Sequence, residues 1–163
     1  MQGRIYTVPF LSTATTTTTD LFNLDPAVDK PIRILALDVG QLTRVGDANE
    51  DMIGWTIRRF TGATITNGTG GATNTPAPVN VGDVAASFTA RVMDTTIATT
   101  TGTNTLVHSS ALNTRVGLLW VPPPECLALA ADTAGNCRLI VRLEEAPSAS
   151  TSFGGTCYVE ELG

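Results

Sequence analysis

Lysine is almost missing from this chain. Lys30 stands alone, there is one histidine, and charged residues make up only 15% of the 163 positions. Nucleic-acid binding by phosphate neutralisation draws on clustered Lys and Arg. A chain of formal net charge −5 with scattered arginines does not offer them. The one basic pair, Arg58-Arg59, sits in a strand-like run that turns one side chain to each face. No apolar run approaches the ~20 residues of a membrane-spanning helix. The opening MQGRIYTVPF also lacks the charged start and long apolar block of a signal peptide. These absences lead us to expect a soluble protein not exported by that route, with no nucleic acid and no membrane among its partners.

Cysteine is sparse as well. Cys126, Cys137 and Cys157 are odd in number and widely spaced, with no C-x-x-C to make a zinc ribbon or a redox pair. All three lie in or beside apolar segments, where cysteine acts as a small buried hydrophobe; a Cys126–Cys137 bridge across a turn is the alternative. With His108 the single histidine, the two or more His or Cys ligands usual for catalytic zinc are not supplied at metal spacing. A Ser-His-Asp arrangement lacks its G-x-S-x-G elbow, and His108 and Ser109, adjacent on a strand, point to opposite faces. Glu144-Glu145 and Glu160-Glu161 are adjacent pairs too, so neither converges as glycosidase acids must. No catalytic cluster and no cofactor site emerges, and a non-enzymatic protein is expected.

Long unbranched helix formers are scarce, whereas threonine is the commonest residue and hydrophobic residues reach 42%. Thr and Val suit a pleated, half-buried surface. Ile32–Val39 (IRILALDV), Met52–Phe60, Ala86–Met93, Thr105–His108, Arg115–Val121, Cys137–Leu143 and Thr151–Glu161 read as strands separated by turn signals. Leu21–Leu24 is a shorter one. Arg4–Phe10 also alternates, and Pro9 confines it to an edge or to an arm reaching outside the domain. The segment 126–137 fits a strand and turn or one or two helical turns equally. The length suits one domain. We therefore expect a single all-β domain over 1–163, an antiparallel β-sandwich or jelly roll of about eight strands. To it are added an N-terminal arm at 1–10 and a long Thr/Gly/Pro loop at 61–83.

That loop, TGATITNGTGGATNTPAPVNVGD, fails as a phosphate cradle. Thr73 stands where a dinucleotide fingerprint needs its third glycine, Pro76 and Pro78 deny the following helix, and there is no P-loop lysine. It fails as a domain linker because about three strands before it are too few to close a separate sandwich. An ordered excursion that packs on a neighbouring subunit is the expectation. Asp47-Ala48-Asn49-Glu50-Asp51 opens like a calcium loop, but Met52 and Arg58 stand where the glycine and the closing glutamate belong. A calcium turn built on Asp47, Asn49 and Asp51 is the remaining metal reading, set against a solvated acidic turn. Trp55, Trp120, Tyr6 and Tyr158 would supply a sugar-stacking platform, but both tryptophans lie in strongly apolar strands where aromatics pack inside.

The runs IRILALDVGQ, a GDANED acidic turn, TNTPAPVNVGD, WVPPPE and RLIVRLEEAP…GGTCYVEELG follow one another across nearly the whole chain. In these runs the chain resembles small virion-associated structural proteins of tailed bacteriophages and prophages, of the head decoration or cement kind. The resemblance implies a compact β-domain without catalytic residues, made in the bacterial host cytoplasm and located on the capsid surface. Its implied partners are the major capsid protein and further copies of itself, as a homo-oligomer that is commonly a trimer. Contacts are expected from the arm (Arg4, Tyr6, Val8, Phe10) and from the loop (Asn67, Thr69, Asn74, Pro76, Pro78). Another virion component (tail, neck or head completion) and a carbohydrate-binding β-sandwich module are the competing readings.

Overall fold

The computed structural model describes residues 3–42, 50–62, 64–123 and 136–163. Among them there is no helix. The strands are β1 (Arg4–Thr15), β2 (Thr19–Asp25), β3 (Ile32–Gln41), β4 (Met52–Thr61), β5 (Ile65–Thr66), β6 (Ala72–Asn74) and β7 (Ala77–Pro78). They continue with β8 (Thr89–Asp94), β9 (Thr99–Thr100), β10 (Thr103–Asn113), β11 (Leu118–Trp120), β12 (Cys137–Leu143) and β13 (Thr151–Glu161). Eight of these thirteen have six residues or more. Sheet A has the order β11-β3-β13-β1-β7, sheet B the order β10-β4-β12-β2-β8-β6, and β5 pairs with β9. Every pairing is antiparallel. Tyr6, Phe10, Leu37 and Phe153 from sheet A share one buried cluster with Phe22, Trp55, Leu139 and Leu143 from sheet B. Two antiparallel sheets closed on a common core make a β-sandwich arrangement.

Local irregularities in the sequence map onto bulges. IRILALDV does not alternate strictly, yet Ile32, Ile34, Leu37 and Val39 are all buried. Opposite β13, Ile34 faces Val159 and Ala36 faces Tyr158, so Leu35 is an extra residue that resets the phase. The threonine run is a corner between the sheets: Thr15 ends β1, Thr19 starts β2, and their buried hydroxyls bond at 2.6 Å.

The N-terminal segment is not an arm. Ten residues of β1 pair with β13, and β7 covers part of the other side, so Tyr6, Val8 and Phe10 are core residues. Pro9 is accommodated because β7 pairs only with Tyr6 and Thr7. Beyond it the missing N–H of Pro9 meets no strand, and Asn74 Nδ2 donates to the Pro9 carbonyl instead. Arg115–Val121 is strand only in its second half. The Asn113 side chain accepts from Arg115 N, its carbonyl accepts from Val116 N and Gly117 N, and Gly117 takes φ +77°, leaving strand only at Leu118–Trp120. Conversely β10 runs well past the expected Thr105–His108. Cys137 and Cys157 are buried, burial pushes the Cys157 thiol up, and Cys126 lies outside the described residues with most of the 126–137 segment.

The long loop is built into both sheets. It supplies β5, a bridge from Thr69 to Thr96, β6 on the edge of sheet B and β7 on the edge of sheet A. Its start lies across the outer side of sheet B, where Phe60, Ala98 and Ile140 form a second buried cluster with Ile65 against it. This explains why CRLIVRL reads as a continuous apolar run: both faces of β12 are covered. The cover is fastened by charge. Arg142 reaches Asp20 through Nε (2.5 Å) and Nη2 (3.1 Å) and donates to the Ala98 carbonyl, while Ala98 N donates to Asp20. Both side chains are almost fully buried, and the Arg142 guanidinium lies 5.8 Å from the Phe60 ring centre. Burial raises the Asp20 carboxyl above its ordinary range, although the Arg142 and Ala98 bonds pull it back.

Two outcomes test this construction. A Cβ at Gly71 would lie 2.1 Å from the Val92 carbonyl oxygen, so Gly71→Ala should cost about 1–3 kcal/mol in urea unfolding, against about ±0.5 kcal/mol or less for exposed Thr66→Ala. Asp20→Ala, which strands a buried guanidinium, should cost about 3–5 kcal/mol, and pairing it with Arg142→Leu should recover most of that loss.

Candidate interaction surfaces

Chemistry-bearing residues are held in structural roles. Asp51 accepts from Ser148 N (2.9 Å) and Ser148 Oγ (2.8 Å), tying the loop before β13 to the start of β4. Asp47 and Asn49 lie outside the described residues, and among the described residues no three His, Cys, Asp or Glu side chains gather to hold a metal ion. Glu144 is bound by Arg58 (2.8 Å) and by the Thr56 hydroxyl. Burial of Glu144 opposes ionisation, but these bonds outweigh it and lower the carboxyl. Glu160 pairs with Arg33 and takes the Gly3 N–H, while Glu161 takes Ser87 N and Phe88 N. The Glu160-Glu161 pair thus splits to different partners.

His108 projects from β10 between two tryptophans. Its ring centre is 4.9 Å from Trp55 and 4.9 Å from Trp120, and the indoles meet edge to face at 5.8 Å and 77°. Trp55 is buried and Trp120 packs partly buried on the core. Perpendicular indoles wedged against a histidine make no flat platform for a sugar ring. Trp55 Nε1 and His108 Nε2 are buried without a hydrogen-bond partner among the described residues, and burial lowers the His108 imidazole.

The expected contact residues are occupied by the chain itself. Arg4 is exposed and 4.0 Å from Asp83. The Tyr6 hydroxyl donates to the Val84 carbonyl, and Val8 and Phe10 point into the core. Asn67 Oδ1 accepts from Asn23 and Arg138, Thr69 bridges to Thr96, and Asn74 donates to Pro9. Pro76 is buried and Pro78 faces Tyr6 across a strand pair.

The surface that remains is the outer face of sheet A, which no other part of the described chain covers. One row across it reads Leu119, Asp38, Thr156, Pro9, and a second Ala36, Tyr158, Thr7, Ala77. Asp38 is the only charged side chain in those two rows. Leu11 is 76% exposed and Leu119 74%. At one end a shallow groove of about 600 Å³ is lined by Leu11, Leu42, Gly40 and Gly154, with Asp38 and Thr156 beside them. Gly40 and Gly154 oppose one another across the strand pair. A Cβ at Gly40 would meet nothing within 4 Å, and one at Gly154 would strike Leu42 at 2.8 Å. Glycines thus make the floor and leucines the walls. Sequence reading missed this face. Its signal was the outward phase of Leu11, Leu119, Gly40 and Gly154 relative to buried Phe10, Val39 and Phe153.

In comparisons with protein-family models, curated proteins and solved structures, nothing matches this chain.

The histidine gives a pH test. A base whose folded pKa is depressed stabilises the fold fully above its ordinary value of about 6.5, and that stability is lost as pH falls toward the folded value. His108→Phe should therefore show a smaller fall in melting temperature than wild type between about pH 7.5 and 5.5; calorimetry at both pH values reads it.

Proposed function

We propose that the chain is a non-enzymatic structural protein of a bacteriophage particle, a capsid decoration or cement protein that assembles as a homo-oligomer and binds the shell of major capsid protein. The single observation behind this reading is the outer face of sheet A: a sheet surface whose charges are Asp38 and the Arg33–Glu160 pair, with exposed Leu119 and with Leu11 beside a glycine-floored groove. Exposed apolar surface of this kind marks sites of protein–protein contact. The groove accepts a bulky side chain from a partner, and the rows of small residues let a second backbone approach closely. On this reading the protein is made in the host cytoplasm and acts on the capsid surface. The trimeric state rests on the resemblance.

The strand order supports a jelly-roll reading within this proposal. Taken without β5 to β9, sheet A runs β1-β13-β3-β11 and sheet B runs β2-β12-β4-β10. That is the interleaving of two Greek keys over eight strands, with β5 to β9 inserted between the fourth and fifth. Jelly rolls serve in capsids and in lectins, so the architecture permits either role and the site decides. Edge-to-face packing of Trp55 and Trp120 removes the main support for a carbohydrate module.

Leu11→Asp and Leu119→Asp should each weaken binding to purified empty capsids by tenfold or more, as a buried contact worth about 1.4 kcal/mol would. Co-sedimentation with the shells measures it. Undiminished binding of the double variant, or absence of the protein from purified virions under the electron microscope, overturns the reading.

A further inference from the structure

Strand β10 lies at the end of sheet B, eleven residues long, with β4 on one side and, among the described residues, no strand on the other. Alternate residues of such an edge present N–H and C=O groups that only another extended chain can satisfy together. Natural edges are usually blunted by charge, proline or short length. The remaining edges of this sandwich obey that rule, since β11 and β6 have three residues and β7 two. β10 does the opposite. Of the eight strands with six residues or more, it alone has no Asp, Glu, Lys or Arg, and it has no proline. Its one protective feature is the bulge at Val107.

We propose that β10 is a pairing edge for a second copy of this chain, joined antiparallel across a two-fold axis to extend sheet B. The other edges are too short to receive it, so a second copy can match this length only with its own β10. The strand is self-compatible, because a neutral sequence puts no like charges opposite in any register. The register follows from the faces. His108, Ser110 and Leu112 oppose core residues Ile57, Trp55 and Ile53 on β4 and share its inner face, leaving Ser109 and Ala111 on the outer one. Residues opposite one another in a sheet must lie on the same face. A two-fold centred on Ser110, near the middle of the stretch past the bulge, satisfies this, with Ser109 facing Ala111 of the second copy and His108 facing its Leu112. Ser109, Ser110 and Ala111 are exposed in the single chain. The contact is independent of the sheet A face: alone it gives a dimer, and combined with three-fold association it gives a hexamer.

Sedimentation equilibrium on the wild type, Ser109→Lys/Ala111→Lys and Ser109→Lys/Ala111→Glu tests the pairing, with thermal melts to verify that each folds. Wild type should contain an even number of 17.0 kDa chains. The Lys/Lys variant, with like charges opposed twice, should halve that mass. The Lys/Glu variant, with opposite charges facing across the axis, should restore it. A wild type of one or three chains, an undiminished Lys/Lys variant, or a Lys/Glu variant that stays dissociated overturns the proposal. A trimer that still binds capsids would sink this pairing and leave shell binding standing; an even assembly without capsid affinity would do the reverse.

Discussion

The buried pair between Arg142 and Asp20 is the constraint on which the remainder of the molecule turns. Two charges removed from water are tolerable only when each lone pair and proton is used. Here Asp20 spends its oxygens on Arg142 and on Ala98 N, and Arg142 spends a further donor on the Ala98 carbonyl. The pair is therefore complete only when residue 98 is in place, and residue 98 belongs to the excursion between β4 and β10. Seating it brings Ile65 against Phe60 and Ile140 and lines up Asp94 opposite Asp20, where Arg91 and the Gly71 N–H receive it. One ionic contact thus decides that sheet B is covered by its own chain. Sheet A has no such anchor on its outer side. Its strands present Thr, Ala, Gly and Leu there beside Asp38 and the Arg33–Glu160 pair, and nothing among the described residues covers that face.

The division of labour between the sheets clarifies the function proposed. A decoration protein must be rigid enough to act as a clamp yet offer apolar surface without aggregating. The closed face supplies the first requirement. The open face supplies the second in a restrained form, because glycine and threonine dilute the leucines and Asp38 interrupts them.

Much of the scaffold was legible in the chain because burial writes itself as periodicity. Ile32–Val39, Met52–Phe60, Cys137–Leu143 and Thr151–Glu161 were each readable as strands. What was illegible depended on partners distant in sequence. Nothing local says that Pro9 lies where β7 has already ended, so a strand paired on both sides read as an edge or an arm. Asn113 ends β10 by gathering the turn that follows, which apolar pattern alone reads as more strand. The candidate face was hidden for a related reason: Gly40 and Gly154 look like weak points in two separate strands, and only their pairing across the sheet turns them into a floor.

The short strands β6 and β7 stand three residues apart and occupy the free edges of sheets B and A, so both sheets are bound along one side by a single strap. On the opposite side, among the described residues, the turn from β10 to β11 joins the sheets, with His108 and Trp120 beside it. The strap thus serves as a spine, and the margin opposite to it carries the aromatic wedge and the uncharged β10. Any partner that adds a strand there does more than occupy a surface: it braces the margin that the strap does not reach.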